Sequence, residues 1–306
     1  MNNLITDVKN LELETLKNLR NSKSNNTLRA YQSDFRDFSL FCSQNGFQAM
    51  PTQPNIVALY ITHLSNYSKY STLKRRIASI SVLHKIKGHY IDVKHPIIIE
   101  NLMGIKRTIG SYQKGKKPLL INDLKLLIKA IDESKEKDIK KIRDKALILI
   151  GFSGGFRRSE LVNLEFEDIE HVSEGVKIFV KRSKTDQSGQ GMIKAIPYFE
   201  NINFCPVKAL KKWVDLIELK KGKIFEISDK NVSLIIKKYA NYAGLDSQRY
   251  SGHSLRSGFA TSTAESGADE RNIMAMTGHK STQMVRRYIK EANLFKNNAL
   301  NKIKSI

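Results

Sequence analysis

The sequence is short of almost everything that would staple a chain covalently or anchor it in a bilayer. Its two cysteines, Cys42 and Cys205, are too few and too widely spaced for a disulfide framework and read as reduced thiols. No apolar run approaches the roughly 18 residues of a membrane-spanning helix. The opening stretch MNNLITDVKNLELETLKNLR is charged throughout and has no apolar signal-peptide core. These absences predict a cytoplasmic protein with no membrane partner. Acids are scarce too, and unevenly so. Between Phe38 and Asn122 only Asp92 and Glu100 stand against twelve lysines and arginines.

What is present follows from that imbalance. The net charge is +22 and the sequence pI about 9.8. Lysine enrichment of the kind an AT-rich genome produces would be uniform and would not strip the acids from one stretch. The excess therefore points to a polyanion, nucleic acid before an acidic membrane surface. With 41% hydrophobic residues the chain can build real cores, and 306 residues suffice for two domains at about 150 each.

Periodicity divides the chain. In NNTLRAYQSDFRDFSLFCSQNG, Asn and Thr are N-cap candidates and Leu28, Tyr31, Phe35, Phe38 and Phe41 fall at helical spacing, with Gly46 as the stop. PNIVALYITHL opens on Pro54 in a first-turn position. STLKRRIASISVLHKIKG aligns Leu73, Ile77 and Ile80 and turns Lys74, Arg75 and Arg76 away from that stripe. IIENLMGIKRTIG makes a fourth helix, and His84 is expected to pack or cap within its own. SYQKGKKPLL, with Lys114, Lys116, Lys117 and Pro118, reads as a basic linker. Helical patterning resumes in NDLKLLIKAI and IRDKALILIGF. The period then changes to two: Val176, Ile178 and Val180 alternate with Lys177, Phe179 and Lys181, with MIKAIPYF as the returning strand. Helices follow from CPVKALKKWVDL to the end. The expected domains are a helical one over 1–110, a linker over 111–118 and a mixed α+β one over 119–306.

Two motifs are decoys. GFSGG over 151–155 fits the G-x-S-x-G elbow of a hydrolase, with Asp246 and His253 as partners for Ser153, but the series of βα units and an upstream oxyanion motif are missing. Glu165, Glu167, Asp168, Glu170 and His171 suggest a metal nuclease, yet acids so close in sequence more often form a solvated edge. No metal or cofactor is expected.

A different set converges. SGHSLRSGFATS places His253 and Arg256 about one helical turn apart among small residues, a proton-transfer group beside a fork of donors that suits a phosphate. Taken singly, the other pieces read blandly: Arg157 with Glu160 as a surface pair, Lys184 as a turn lysine, His279 as a helix-end cap, Tyr288 as a core aromatic with Met284 and Ala292. Their order is less bland. Arg, a hairpin Lys, H-x-x-R, G-H, and Tyr nine residues later resembles the tyrosine recombinase (phage integrase) family, from about Thr27 to Phe295. GGFRRSELVNL, CPVKALKKW, GHSLRSGFAT and TGHKS carry the resemblance.

That resemblance implies a C-shaped clamp on DNA, a helical SAM-like core-binding domain and a catalytic domain. It implies Arg157, Lys184, His253, Arg256, His279 and Tyr288 as catalytic residues, with Glu160 supporting the first arginine. R-x-S-E-L spacing selects Arg157 over Arg158; the SKT context favours Lys184 over Lys181 and Arg182, with Lys181 left as the alternative. In the implied roles Tyr288 is the nucleophile, the arginines clamp the phosphate, Lys184 protonates the leaving oxygen, His253 moves the tyrosyl proton and His279 donates to a phosphate oxygen. DNA contacts are expected from Lys74, Arg75, Arg76, Lys114, Lys116 and Lys117. Implied partners are duplex DNA with inverted repeats, a synaptic tetramer linked through the C-terminal helix, and accessory DNA-bending proteins. The implied setting is a prokaryotic nucleoid or a mobile element. The rival readings are a type IB topoisomerase-like nicking-closing enzyme and a catalytically inactive DNA-binding regulator.

Overall fold

The computed structural model describes residues 8–21, 24–112, 115–181, 191–296 and 298–303. The chain forms two compact units, the first ending at Lys114 and the second beginning at Gly115. Helices dominate both units.

The first unit contains α1 (Val8–Asn21), α2 (Asn25–Gln44), α3 (Pro54–Ser65), α4 (Tyr70–Ile86) and α5 (Pro96–Ile109). The N-cap of α2 is Ser24, one residue ahead of the expected Asn and Thr; its side chain accepts from the Thr27 N–H at 3.3 Å. Leu73, Ile77 and Ile80 of α4 are buried against Phe38, Tyr60 and Ile61, so the apolar stripe read from sequence is the core face. His84 is fully buried. Its Nδ1–H donates to the Ile80 carbonyl at 2.8 Å, and Nε2 accepts from the Thr52 N–H at 3.1 Å, which satisfies both ring nitrogens in the neutral form. Burial holds its pKa below the ordinary histidine value.

Arg75 and Arg76 have structural partners. Asp34 on α2 is only 3% exposed, and a buried carboxylate needs compensation. Arg75 and the Ser79 hydroxyl both donate to it, and Arg76 reaches it at 3.3 Å while pairing with Asp37 at 3.0 Å. Arg76, 18% exposed, thus braces α4 against α2. Lys74 is exposed.

The second unit begins with α6 (Ile121–Glu133), α7 (Asp138–Ser153) and the single turn α8 (Arg158–Leu161). Strands β1 (Ile169–Val172), β2 (Gly175–Val180) and β3 (Met192–Pro197) form an antiparallel sheet in that order, followed by α9 (Pro206–Leu216) and α10 (Asp229–Tyr242). Then come α11 (His253–Glu265), α12 (Glu270–Thr277) and α13 (Thr282–Ala292). Every residue from Ala146 to Ser153 is buried, so α7 is the central helix of this unit, enclosed on all sides. Ser153 is the last residue of that helix, and no strand-to-helix elbow exists there. On β2 and β3 the alternation holds: Val176, Ile178, Val180 and Ile196 face the core, and Phe179 and Ile193 face out.

The segment leading into α6 is strapped to the start of α11. Lys117 N–H donates to the Arg249 carbonyl at 2.7 Å and Leu119 N–H to Ser254 at 2.9 Å. The close approach requires Gly258, since a Cβ there would lie 2.0 Å from the Leu119 oxygen. Lys116 donates to the Gln248 carbonyl at 2.6 Å, and the Lys117 ammonium pairs with Asp123 at 2.8 Å. Both lysines are thus tied within their own unit. Lys114 lies outside the described residues.

Candidate active site

Four segments of the second unit converge. The turn after α7 delivers Arg157 at the N-cap of α8, helped by Gly155 at φ +55°, where a Cβ would press on Phe259 and Thr277 at 3.0 and 3.1 Å. Glu160, buried, folds back: one oxygen accepts from the Arg157 N–H at 2.9 Å and the other from its guanidinium at 2.5 Å. Arg157 also donates to the Gly278 carbonyl at 3.3 Å, joining its turn to the one that carries His279.

Arg256 leaves the first turn of α11 and is 1% exposed. Its Nη1 donates to Gly155 O at 2.9 Å, while buried Nη2 finds no acceptor among the described residues. A buried N–H without a partner is costly, and an anion placed beside it would satisfy it. Burial and the adjacent Arg157 push its pKa down to about 10, still charged at neutral pH.

His253, at the first position of α11, has Nε2 3.3 Å from the Tyr288 hydroxyl. Tyr288 comes from α13, is 8% exposed, and rests on a small cluster of Ala260, Ala264, Ile273 and Val285. Burial raises its pKa, and Arg256 and Arg287 oppose that rise. Desolvation, then Arg256, Arg157 and Arg158, hold the His253 pKa below the usual range. The neutral imidazole is therefore ready to accept the tyrosyl proton. His279 follows the left-handed Gly278 that ends α12, with its ring centroid 6.0 Å from that of Tyr288.

Of the expected catalytic residues, Arg157, His253, Arg256, His279 and Tyr288 are thus brought together around Glu160. Lys184 lies outside the described residues. Its neighbour Lys181 pairs with Glu165 and, at 2.9 Å, with Asp168. The acidic stretch is spent the same way: Glu167 accepts from the Gly222 N–H at 2.9 Å and Glu170 pairs with Lys177 at 3.3 Å. Among the described residues no acidic or histidine cluster is arranged to hold a metal.

One residue was not singled out from sequence. Lys194, in the middle of β3, is fully buried beneath the site. Its ammonium donates to the carbonyls of Gly154, at 2.7 Å, and of Met276, and lies 4.8 Å from the Phe156 ring centroid. It ties the turn before Arg157 to the helix end before His279. The signal was available: period-two alternation puts Lys194 on the same face as Ile196, toward the core.

Comparison with known proteins fits this geometry. Residues 118–294 match the phage integrase family, and residues 13–88 match the phage integrase N-terminal SAM-like domain. An integrase/recombinase XerD homolog of Selenomonas ruminantium is 42% identical over 96% of this chain and 89% of its own length. The fold resembles that of XerH site-specific recombinase bound to a palindromic difH substrate, with TM-score 0.63, 20% identity, and coverage of 84% of this chain and 72% of that one. It also resembles a lambda integrase tetramer bound to a Holliday junction, with TM-score 0.58, 17% identity, and coverage of 90% and 75%. On the family match and the close relative, the chain belongs to the phage integrase family, the tyrosine recombinases.

Proposed function

We propose that this chain is a site-specific DNA recombinase that breaks and rejoins duplex DNA by transesterification at Tyr288. The observation that carries the reading is the Tyr288 hydroxyl, 3.3 Å from a neutral His253, beside a buried Arg256 whose Nη2 finds no acceptor among the described residues. The phenolic oxygen attacks phosphorus, His253 takes its proton, and the 5′ oxygen departs, leaving a 3′-phosphotyrosyl bond. That bond conserves the energy of the phosphodiester, so attack by a new 5′-hydroxyl reseals the strand without ATP. Arg157 and Arg256 stabilise the charge that builds on the five-coordinate phosphorus. Lys184 is assigned the protonation of the leaving oxygen, and His279 a contact to a phosphate oxygen.

Assembly is part of the proposal. Beyond α13 the tail leaves Leu294, Phe295, Leu300 and Ile303 exposed, Phe295 at 86%. Exposed apolar side chains on this tail suit a neighbouring protomer, and head-to-tail exchange closes into a ring of four on two duplexes. The target is DNA carrying inverted repeats. Duplexes bearing inverted repeats located beside the gene, once such repeats are identified, should recombine in excess EDTA and without ATP. Removing residues 295–306 should spare single-site binding and abolish paired-site complexes. Cleavage lost in EDTA and restored by magnesium would contradict the metal-free chemistry, and synapsis by the truncated chain would contradict the exchanged tail.

A further inference from the structure

His279 is held by a hydrogen-bond arrangement whose protons can be counted. The Thr277 hydroxyl, fully buried, lies 2.6 Å from the Ile273 carbonyl oxygen and 2.7 Å from His279 Nδ1. A hydroxyl has one proton, and a carbonyl can only accept. Thr277 therefore donates to Ile273, and what it offers His279 is a lone pair. Nδ1 must carry the hydrogen. In the neutral ring Nε2 is then bare, on the edge facing away from the buried hydroxyl.

A bare Nε2 cannot donate to a phosphate oxygen; its lone pair repels one. We propose that Thr277 is a positioning residue that fixes His279 in the Nδ1–H tautomer, so that His279 engages a phosphate only as the imidazolium, taking up a proton as DNA docks. This rests on the recombinase reading for the identity of the anion. The surroundings explain why the proton is absent beforehand. Arg256 from α11 and Arg157 from the α8 turn oppose a further positive charge, Lys194 from β3 adds to them while it is protonated, and His253 of α11 and Tyr288 of α13 are neutral beside it. Burial together with these cations pushes the His279 pKa down to about 4 in the free protein. A phosphate seated between the arginines reverses the sign of the local field, and solvent supplies the proton to Nε2. The site thereby gains a donor and a positive charge only when substrate is present.

The test reads the ring nitrogens directly, by NMR of the full chain labelled with nitrogen-15 histidine, with the His279 signals identified by their loss in His279→Asn. In the free protein at pH 7, wild type and Thr277→Ser should show protonated Nδ1 and bare Nε2. Thr277→Val, with no lone pair to offer, should admit the Nε2–H form. In a Tyr288→Phe background, adding a duplex bearing the inverted repeats should protonate both nitrogens. Adduct formation by Tyr288-containing wild type should then fall with rising pH, by up to about tenfold per unit, relative to Thr277→Val. An Nε2–H ring in the free wild type overturns the tautomer assignment, and a ring that stays neutral with DNA bound overturns the proton uptake. A duplex that does not bind at all counts against the recombinase reading, while the free-protein spectra decide the tautomer regardless.

Discussion

Replacing Lys194 with methionine keeps the stem and removes the ammonium, and its consequence depends on pH in a way the structure fixes. Complete burial lowers the Lys194 pKa from 10.5 to about 7, with Arg256 and Arg157 adding to the effect and Glu160 opposing it. Above pH 7 the folded protein holds the amine neutral, while the unfolded chain keeps it protonated up to about 10.5. The unfolded chain thus binds more protons in that window, so stability rises with pH through it and is lost as pH falls to 7. One unit of pKa difference corresponds to about 1.4 kcal/mol, so between pH 7 and 9 the wild type gains about 2–3 kcal/mol that Lys194→Met does not. At any pH the substitution also strands the carbonyls of Gly154 and Met276, at about 1–3 kcal/mol each. Urea unfolding followed by Trp213 reads this cleanly, because it is the one tryptophan and it is buried in the second unit. A gap between wild type and Lys194→Met that stays constant from pH 7 to 9 would refute the argument.

The first unit should soften in acid: His84 is held neutral by burial, the unfolded chain protonates near the ordinary value of 6.5, and stability falls below that pH. Amide protection factors in α3 and α4, corrected for the slower intrinsic exchange in acid, should therefore fall between pH 7 and 5, and pH-independent protection would contradict it. Gly258→Ala places a Cβ 2.0 Å from the Leu119 oxygen. Both sides of that contact are backbone, so the cost should meet or exceed the ~1–3 kcal/mol typical of overpacking in Trp213-monitored unfolding. Arg76→Ala should cost the first unit about 1–3 kcal/mol in thermal melts by exposing Asp34 to partial loss of its partners. Lys74→Ala should leave stability within about 0.5 kcal/mol while reducing the salt dependence of DNA binding by about one counterion; equal effects from both variants would contradict the assignment.

Much of this was legible because it rests on period and spacing. The stripe Leu73, Ile77, Ile80 became a core face, and Arg157, His253, Arg256, His279 and Tyr288, scattered over more than a hundred positions, were named in advance by their order. What sequence concealed were partnerships. Arg76 and Lys117 read as solvent cations because the carboxylates that claim them, Asp34 and Asp123, come from other elements and are themselves buried. Lys194 escaped notice because lysine is so rarely buried that its inward register on β3 carried less weight than its charge. Thr277 carries no signal in the sequence, because its part depends on the Ile273 carbonyl that takes its single proton.

The central claim is that Tyr288 is the atom source of the protein–DNA bond. A nicked duplex that traps the cleaved state, incubated with the protein, digested with protease and mapped by mass spectrometry, tests it directly. The account predicts a nucleotide attached through its 3′ phosphate to Tyr288, and no adduct in Tyr288→Phe although that variant still binds DNA. An undiminished adduct in Tyr288→Phe, or one mapped to Tyr242, Tyr239 or Tyr250, would contradict it; the latter two hydroxyls are committed to Asp144 and Asp123 at 2.9 and 3.0 Å.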